Sequence, residues 1–402
     1  MRKILVVLCV AGFVVSLASP LMAGGIVNKQ NFSAEYLRTF SRNAATDASD
    51  AIVYNPAGVM KMEDGFYGNL GIYYALKDYN NQIEGNDYGS DEPSIVPGLF
   101  ALYKQDKWAG FFAFTIPSAG GKVDYKDGSA TTFEIANGLL AFPTFSNIDD
   151  MSLEADSFYY GYTVGGAYEI NDILSVAAGL RYVDANKEAS GTAIVSTPGP
   201  ATQFTVDYEQ TAAGWGAFLG LNYSPREDLN FGFRYETATK LDFETDVKQD
   251  DVFALIDGSK EREDLPGLIG LGAAYTINPN IKLDLSFTYY LEKSAKWEGR
   301  LEDEGDSWEL AIAAEYTFYP QLRASFGYMF TKIGIDVDAI LPENPELDVN
   351  TICGGVAWGP MDNMTLNFAL ANSFYDSETD SSGVKYEKNV FGVGFGIEYK
   401  FK

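Results

Sequence analysis

Acidic residues gather in two places along the chain, at Asp242, Glu244, Asp246, Asp250 and Asp251 and again at Glu302, Asp303, Glu304 and Asp306. Carboxylates at such spacing can hold a divalent cation, or form a solvated surface whose charges repel one another; the second is the blander reading, so no metal is expected. No histidine occurs in the 402 residues, which removes the base on which most triad and dyad hydrolases depend. No Ser-Lys or paired-carboxylate constellation stands in for it, so neither catalysis nor a cofactor is expected. The formal net charge of −27 excludes nucleic acid, whose recognition is built on cationic side chains. Of the two cysteines, Cys9 and Cys353, the first lies within an apolar N-terminal run, so the remaining chain can form no internal disulfide.

One further group has a structural rather than a reactive character. The run from Ser41 to Gly58 is small and polar, carries Asp47 and Asp50, and ends in Asn55-Pro56-Ala57-Gly58. Such a segment makes a turn: Asn55 can bond its own backbone, Pro56 fixes φ, and Ala57-Gly58 allow close approach of the next element.

The scaffold for these residues is written in the periodicity. From Val390 to Lys402, Phe391, Val393, Phe395, Ile397, Tyr399 and Phe401 alternate with Gly392, Gly394, Gly396, Glu398, Lys400 and Lys402. A strand with one face in lipid and the other in water reads this way. The same period predicts about fourteen strands, near 66–77, 97–104, 108–116, 157–170, 174–184, 212–223, 229–235, 266–277, 281–291, 308–318, 322–331, 351–358, 364–373 and 390–401. Short turns such as Asn171-Asp172 and Asn278-Pro279-Asn280 alternate with long connections, among them 118–156 and 332–350. That alternation is the rule for transmembrane β-barrels, whose short turns and chain ends lie on the periplasmic side. The fold class is therefore all-β, an antiparallel barrel at residues 65–402. Arg2 and Lys3, the apolar run to Leu17 and the small residues around Ala23 predict a signal peptide over 1–23. Residues 24–64 lack alternation and are expected to plug the lumen, which a barrel of this width cannot fill with its own side chains.

Inward positions carry Glu169, Arg181, Arg234, Glu236, Asp284, Glu309, Glu315 and Arg323, expected chiefly as pairs that brace the wall. The third strand carries Gly110, is followed by Pro117, and places Phe112 and Phe114 on one face with Phe111 and Ala113 on the other. The long loop after it holds an apolar cluster that includes Leu139, Leu140, Phe142 and Phe145, odd for a water-exposed loop and suited either to a lipid-collecting groove or to packing on the rim.

With Asn55, Pro56 and Ala57 following a signal peptide, Asp47 and Asp50 upstream, and a barrel of about fourteen strands, the chain resembles the outer-membrane hydrophobic-compound transporters of the FadL (OmpP1) family. That resemblance implies a hatch of about forty residues in a fourteen-stranded barrel. It also implies ligand capture between outer loops, a pocket in the lumen, and sideways release through the wall beside a kinked third strand, here marked by Gly110 and Pro117. Phe32, Phe112, Phe114, Leu139, Leu140, Phe142 and Phe145 are then the candidate ligand contacts. The chain departs from the family in opening Gly24-Gly25-Ile26-Val27-Asn28, so a contact near the mature N-terminus falls to Ile26 or Phe32. The expectation is a monomeric outer-membrane channel for passive uptake of hydrophobic compounds, long-chain fatty acids foremost. Its partners would be the ligand, outer-membrane lipid and lipopolysaccharide, and the barrel-assembly machinery. The alternatives are a general diffusion porin and a structural or receptor barrel.

Overall fold

The structure, a computed structural model, describes residues 33–298 and 305–401. The expected signal peptide, Phe32 and the acidic residues Glu302, Asp303 and Glu304 lie outside them. Fourteen antiparallel strands form the wall: β1 (Gly65–Ile83), β2 (Ser94–Gln105), β3 (Trp108–Ala119), β4 (Asn147–Asn171), β5 (Leu174–Ser196), β6 (Thr202–Arg226), β7 (Leu229–Glu236), β8 (Gly267–Asn278), β9 (Ile281–Leu291), β10 (Trp308–Tyr319), β11 (Leu322–Lys332), β12 (Val349–Met361), β13 (Met364–Tyr375) and β14 (Lys385–Phe401). Each pairs with the next, and β14 returns to β1 over the register Phe66–Phe401 to Gln82–Lys385, which closes the barrel. Closure removes the outer edges of the sheet, the condition for it to sit in hydrocarbon, and leaves one local break between β2 and β3.

Alternation decides which face is which. On β9, Leu283 and Leu285 are exposed while Asp284, Ser286 and Thr288 are buried toward the lumen. On β14, Phe391, Phe395, Ile397 and Phe401 point outward, opposite Gly392, Gly394 and Glu398. Outward aromatics collect at the two rims of this apolar band. Phe66 and Phe401, then Tyr103 and Trp108, touch at the turn end, and Tyr182 meets Trp215 at the loop end. Such girdles mark the two membrane interfaces.

All fourteen predicted strands are present, but three are much longer than their hydrophobic alternation. β4 starts at Asn147 rather than near 157, β5 runs on to Ser196, and β6 starts at Thr202. The outward residues there are Asp150, Ser152, Glu154 and Asp156, so the sheet continues above the bilayer with its outer face in water, while Met151, Leu153 and Ala155 stay buried on the inner face; the outward apolar signal ends there and the ladder does not.

Residues 33–64 fill the lumen. They comprise the short helix α1 (Ala34–Leu37) and two 3-10 turns, Ser49–Val53 and Gly58–Lys61, and nearly every side chain is buried. One side of this hatch is apolar: Ile52, Val53 and Tyr54 belong to one cluster with Phe100, Leu102 and Phe111 of the wall, and Ser49–Val53 packs on β1, β2 and β3. The other side is ionic and faces β9 to β11. Arg38 donates to Glu315 Oε2 at 2.9 Å and Ser325 Oγ at 2.5 Å, and Arg323 bridges Asp47 at 3.3 Å and Glu315 at 3.2 Å. Arg42 bonds Asp47 Oδ1 at 2.6 Å and both oxygens of the fully buried Asp50. The remaining lumen charges brace the wall among themselves, as with Arg181–Glu236 at 2.9 Å and Lys282–Asp284 at 3.1 Å. Glu169 is only half-buried, at the turn end of β4.

Candidate functional site

Four features lie along the lumen axis: the seat of the hatch motif, a cavity above the hatch, an interruption in the wall, and an apolar groove outside.

Asn55-Pro56-Ala57 is the seat. Asn55 Nδ2 donates to Ala45 O at 3.0 Å and to Asn222 Oδ1 on β6 at 2.8 Å, while Ser175 Oγ of β5 donates to Ala57 O at 2.7 Å. Asn230 on β7 continues the chain of amides by donating to Ala44 O at 2.9 Å. Gly58 follows because nothing larger fits: a Cβ there would stand 2.3 Å from Ala45 O. The tripeptide thus fastens the hatch to the wall as well as turning the chain. Asn55→Ala takes the buried donor from Ala45 O and leaves Asn222 Oδ1 with Asn230 alone at 2.9 Å, a loss of about 1–3 kcal/mol. Hydrogen exchange of amides 44–58 should accelerate roughly tenfold or more while the wall strands keep their protection.

Above α1 lies a cavity of about 90 Å³ lined by Tyr36 and Phe40 of the hatch and by Tyr73, Tyr79, Lys77 and Lys388 of the wall, among others. Both lysines are buried at inward positions of paired strands, Tyr79 of β1 standing directly opposite Lys388 of β14. Lys388 Nζ lies 4.6 Å from the Tyr79 ring and 4.9 Å from that of Tyr375, and donates to Asn344 Oδ1 at 2.7 Å and Pro345 O at 3.2 Å. Lys77 Nζ donates to the carbonyls of Gly120, at 3.2 Å, and Lys122. Among the described residues neither ammonium forms a contact ion pair: both rest on ring faces and neutral oxygens, with Glu346 acting on Lys388 and Asp156 on Lys77 from beyond contact distance, so each can still take an arriving carboxylate as a direct, charge-assisted partner.

Beside the cavity the wall is interrupted. β2 and β3 pair from Gln105–Trp108 only as far as Leu99–Phe114; beyond that Ser94 to Gly98 pair with β1 alone, and Ser118 and Ala119 with β4 alone. The cause is local. The register with β4 slips by one residue between Thr115 and Ser118, a β-bulge that contains Pro117, and proline cannot donate to a ladder. Ser94, Val96, Gly120, Gly121 and the partly buried Phe158 line the cavity at this point, so the cavity reaches the break. Of the two residues expected here, Pro117 sits at the break. Gly110 does not; it is regularly paired between Tyr103 and Gly166. On the same strand Phe111 faces inward and stacks near Phe218 at 6.2 Å, whereas Phe112 and Phe114 lie on the outer side, Phe114 against Tyr162 at 5.3 Å. The inward aromatic of β3 is Phe111, because the inward parity runs through Ala109 and Ala113.

Outside the membrane, the loop after β3 is not irregular. Ser129 caps a helix, α2 (Ala130–Leu140), through a capping box with Thr132. α2 lies on the tall ends of β4 to β6, where Ile135, Leu153, Phe204, Val206, Tyr208 and Val252 line an apolar groove of about 60 Å³. Leu139 is buried beside this groove with Val195 and Val252, and Phe145 meets Phe204 edge-on at 5.5 Å; Leu140 and Phe142 are half-buried on the same loop. The cluster is thus partly rim packing and partly groove wall. Tyr79 and Lys388 lie just beyond the predicted strands 66–77 and 390–401, where hydrophobic alternation fades, and Lys77, the last residue of the first of these, had no visible partner there. The signal that could have found them is their shared inward parity.

No protein-family model and no curated sequence matches the chain. Solved structures do. A Pseudomonas aeruginosa FadL homologue superposes with a TM-score of 0.72 at 14% identity, covering 95% of this chain and 100% of that one. The P. putida toluene transporter TodX gives 0.69 at 14% identity, with 91% and 99% covered, and the Ralstonia pickettii toluene transporter TbuX 0.65 at 17%, with 92% and 98% covered. With its closed fourteen-stranded wall and plugged lumen, the chain has the fold of the FadL-type barrels of bacterial outer membranes.

Proposed function

We propose that this protein is an outer-membrane channel for passive uptake of hydrophobic compounds, with long-chain fatty acids as its ligand class. The observation that carries the reading is the lumen cavity, which joins two buried ammonium groups, a set of aromatic rings and the interrupted wall at Pro117. A chain-bearing acid uses all three: its carboxylate meets Lys388 or Lys77, its methylenes gain about 0.8 kcal/mol each on leaving water, and the break offers an apolar way out between strands. The hatch then acts as the floor that keeps the ligand from falling through to the periplasm and turns it sideways. A neutral hydrocarbon would find the rings but would leave both ammonium groups unanswered. A general diffusion porin would not need a hatch that leaves only about 90 Å³ above it.

Native mass spectrometry of the detergent-extracted barrel, incubated with equimolar oleic acid, methyl oleate, hexadecane and toluene, tests this. The acid is expected to be retained about tenfold or more over its ester, the margin of a charge-assisted hydrogen bond. Preferential retention of toluene or hexadecane would transfer the ligand class to hydrocarbons. No retention, together with conductance for small polar solutes, would make the protein a porin.

A further inference from the structure

The outer loop between β11 and β12 turns into the barrel instead of away from it. Glu343, Asn344, Pro345, Glu346 and Leu347 are all buried, which is unusual for an acidic loop on the extracellular side. Three contacts hold the shoulder that precedes its tip: Asn81 Nδ2 donates to Pro342 O at 2.7 Å, Tyr125 OH to Glu343 O at 3.2 Å, and Ser129 Oγ to Glu343 Oε1 at 2.6 Å. The tip, Asn344–Pro345, is held by Lys388.

Its place in the fold is between the two apolar sites. Asn344 lines the lumen cavity. Leu341 packs on a cluster that contains Leu153, Val206 and Tyr208 of the outer groove together with Tyr79 and Val390 of the cavity and the fully buried Tyr125. A ligand travelling from the groove to the cavity must therefore pass this loop, and the side chain that clamps the loop is one of the two that face the ligand's head group.

We propose that the loop is a gate latched by Lys388, and that an anionic head group opens it by taking the ammonium from Asn344 and Pro345. The idea rests on the uptake function proposed above and names the residue that makes that uptake selective. A ligand moves such an equilibrium only through a difference in affinity between the closed and open states. Here the difference is chemical: in the closed state Lys388 donates to two neutral oxygens, and in the open state to a carboxylate, a bond roughly twice as strong. An uncharged chain of equal length fills the groove but has nothing to exchange, so the tip stays seated. The shoulder contacts at Asn81 and Ser129 survive the movement and act as its hinges.

A cysteine at the tip reports the movement. With Cys353→Ser as background, Pro345→Cys should react slowly with a membrane-impermeant maleimide, at least tenfold faster with oleate present, and no faster with methyl oleate. Lys388→Met in the same background should label fast under all three conditions. Displacement of cis-parinaric acid in the same samples records whether oleate is bound, and Glu346→Cys serves as the reporter if Pro345→Cys does not give a heat-modifiable barrel. Oleate bound with unchanged labelling, or equal acceleration by methyl oleate, overturns the latch alone. Absence of oleate binding to the unlabelled barrel overturns the uptake function and the latch with it.

Discussion

Arg42→Met is expected to turn a silent barrel into an ion-conducting one. Arg42 is buried and is the partner of both oxygens of Asp50, itself without solvent exposure, while Ser33 Oγ adds a bond to Asp50 at 2.6 Å. Removing the guanidinium leaves Asp50 charged and uncompensated, and breaking a buried pair in this way costs about 3–5 kcal/mol. Asp47 is spared, because Arg323 still reaches it at 3.3 Å. The lost energy falls on the hatch alone, since the wall ladder does not depend on it. Planar-bilayer recordings should show steady conductance in the variant and none in the parent. Arg42→Met with Asp50→Asn removes both charges and should return most of the seal; a double variant as leaky as the single one would show that shape, not charge, holds the hatch.

Deleting Pro117 should stop transport and leave binding intact. The slip between Thr115–Gly161 and Ser118–Tyr159 amounts to one extra residue on β3. Taking one out lets Ile116 pair opposite Tyr160 and brings the end of β3 into step with β4, with its free edge offered to Ser94–Gly98 of β2. A continuous ladder would close the break, so uptake of oleate by cells carrying the variant is expected to fall roughly tenfold or more, while retention in mass spectrometry stays within about twofold. Undiminished uptake would mean that the ligand leaves by another path, past the hatch.

The barrel was legible because each membrane-crossing strand repeats one physical requirement, apolar outward and polar or small inward, and β9, β10 and β14 state it without exception across their apolar band. The plug was legible as the stretch where that requirement lapses. What was not legible depends on contacts between segments far apart in sequence. The tall ends of β4 to β6 turn their polar residues outward and their apolar ones, such as Met151, Leu153 and Ala155, inward, so the outward apolar pattern of a lipid-facing strand stops there. α2 hides in a loop because its eleven residues pack as much on neighbouring strands as on one another. The role of Asn55 as an anchor required Asn222, a residue 167 positions away. The inward-folded loop at Glu343–Leu347 reads as solvent-exposed by composition, and only its burial against Tyr125, Asn81 and Lys388 shows otherwise. On β3, where aromatics occupy both faces, parity alone does not say which face is the lumen; the burial of Ala109, Phe111 and Ala113 does.

The height of β4 to β6 bears on where a greasy solute first loses its water. On β4 the outward apolar band ends near Tyr160, whereas Leu153 of the groove stands seven positions further out, about 20 Å along the strand at the usual rise. In the uptake function proposed above, a groove raised on that turret would meet an apolar solute well above the leaflet, and the rest of its path to the cavity would run inside protein.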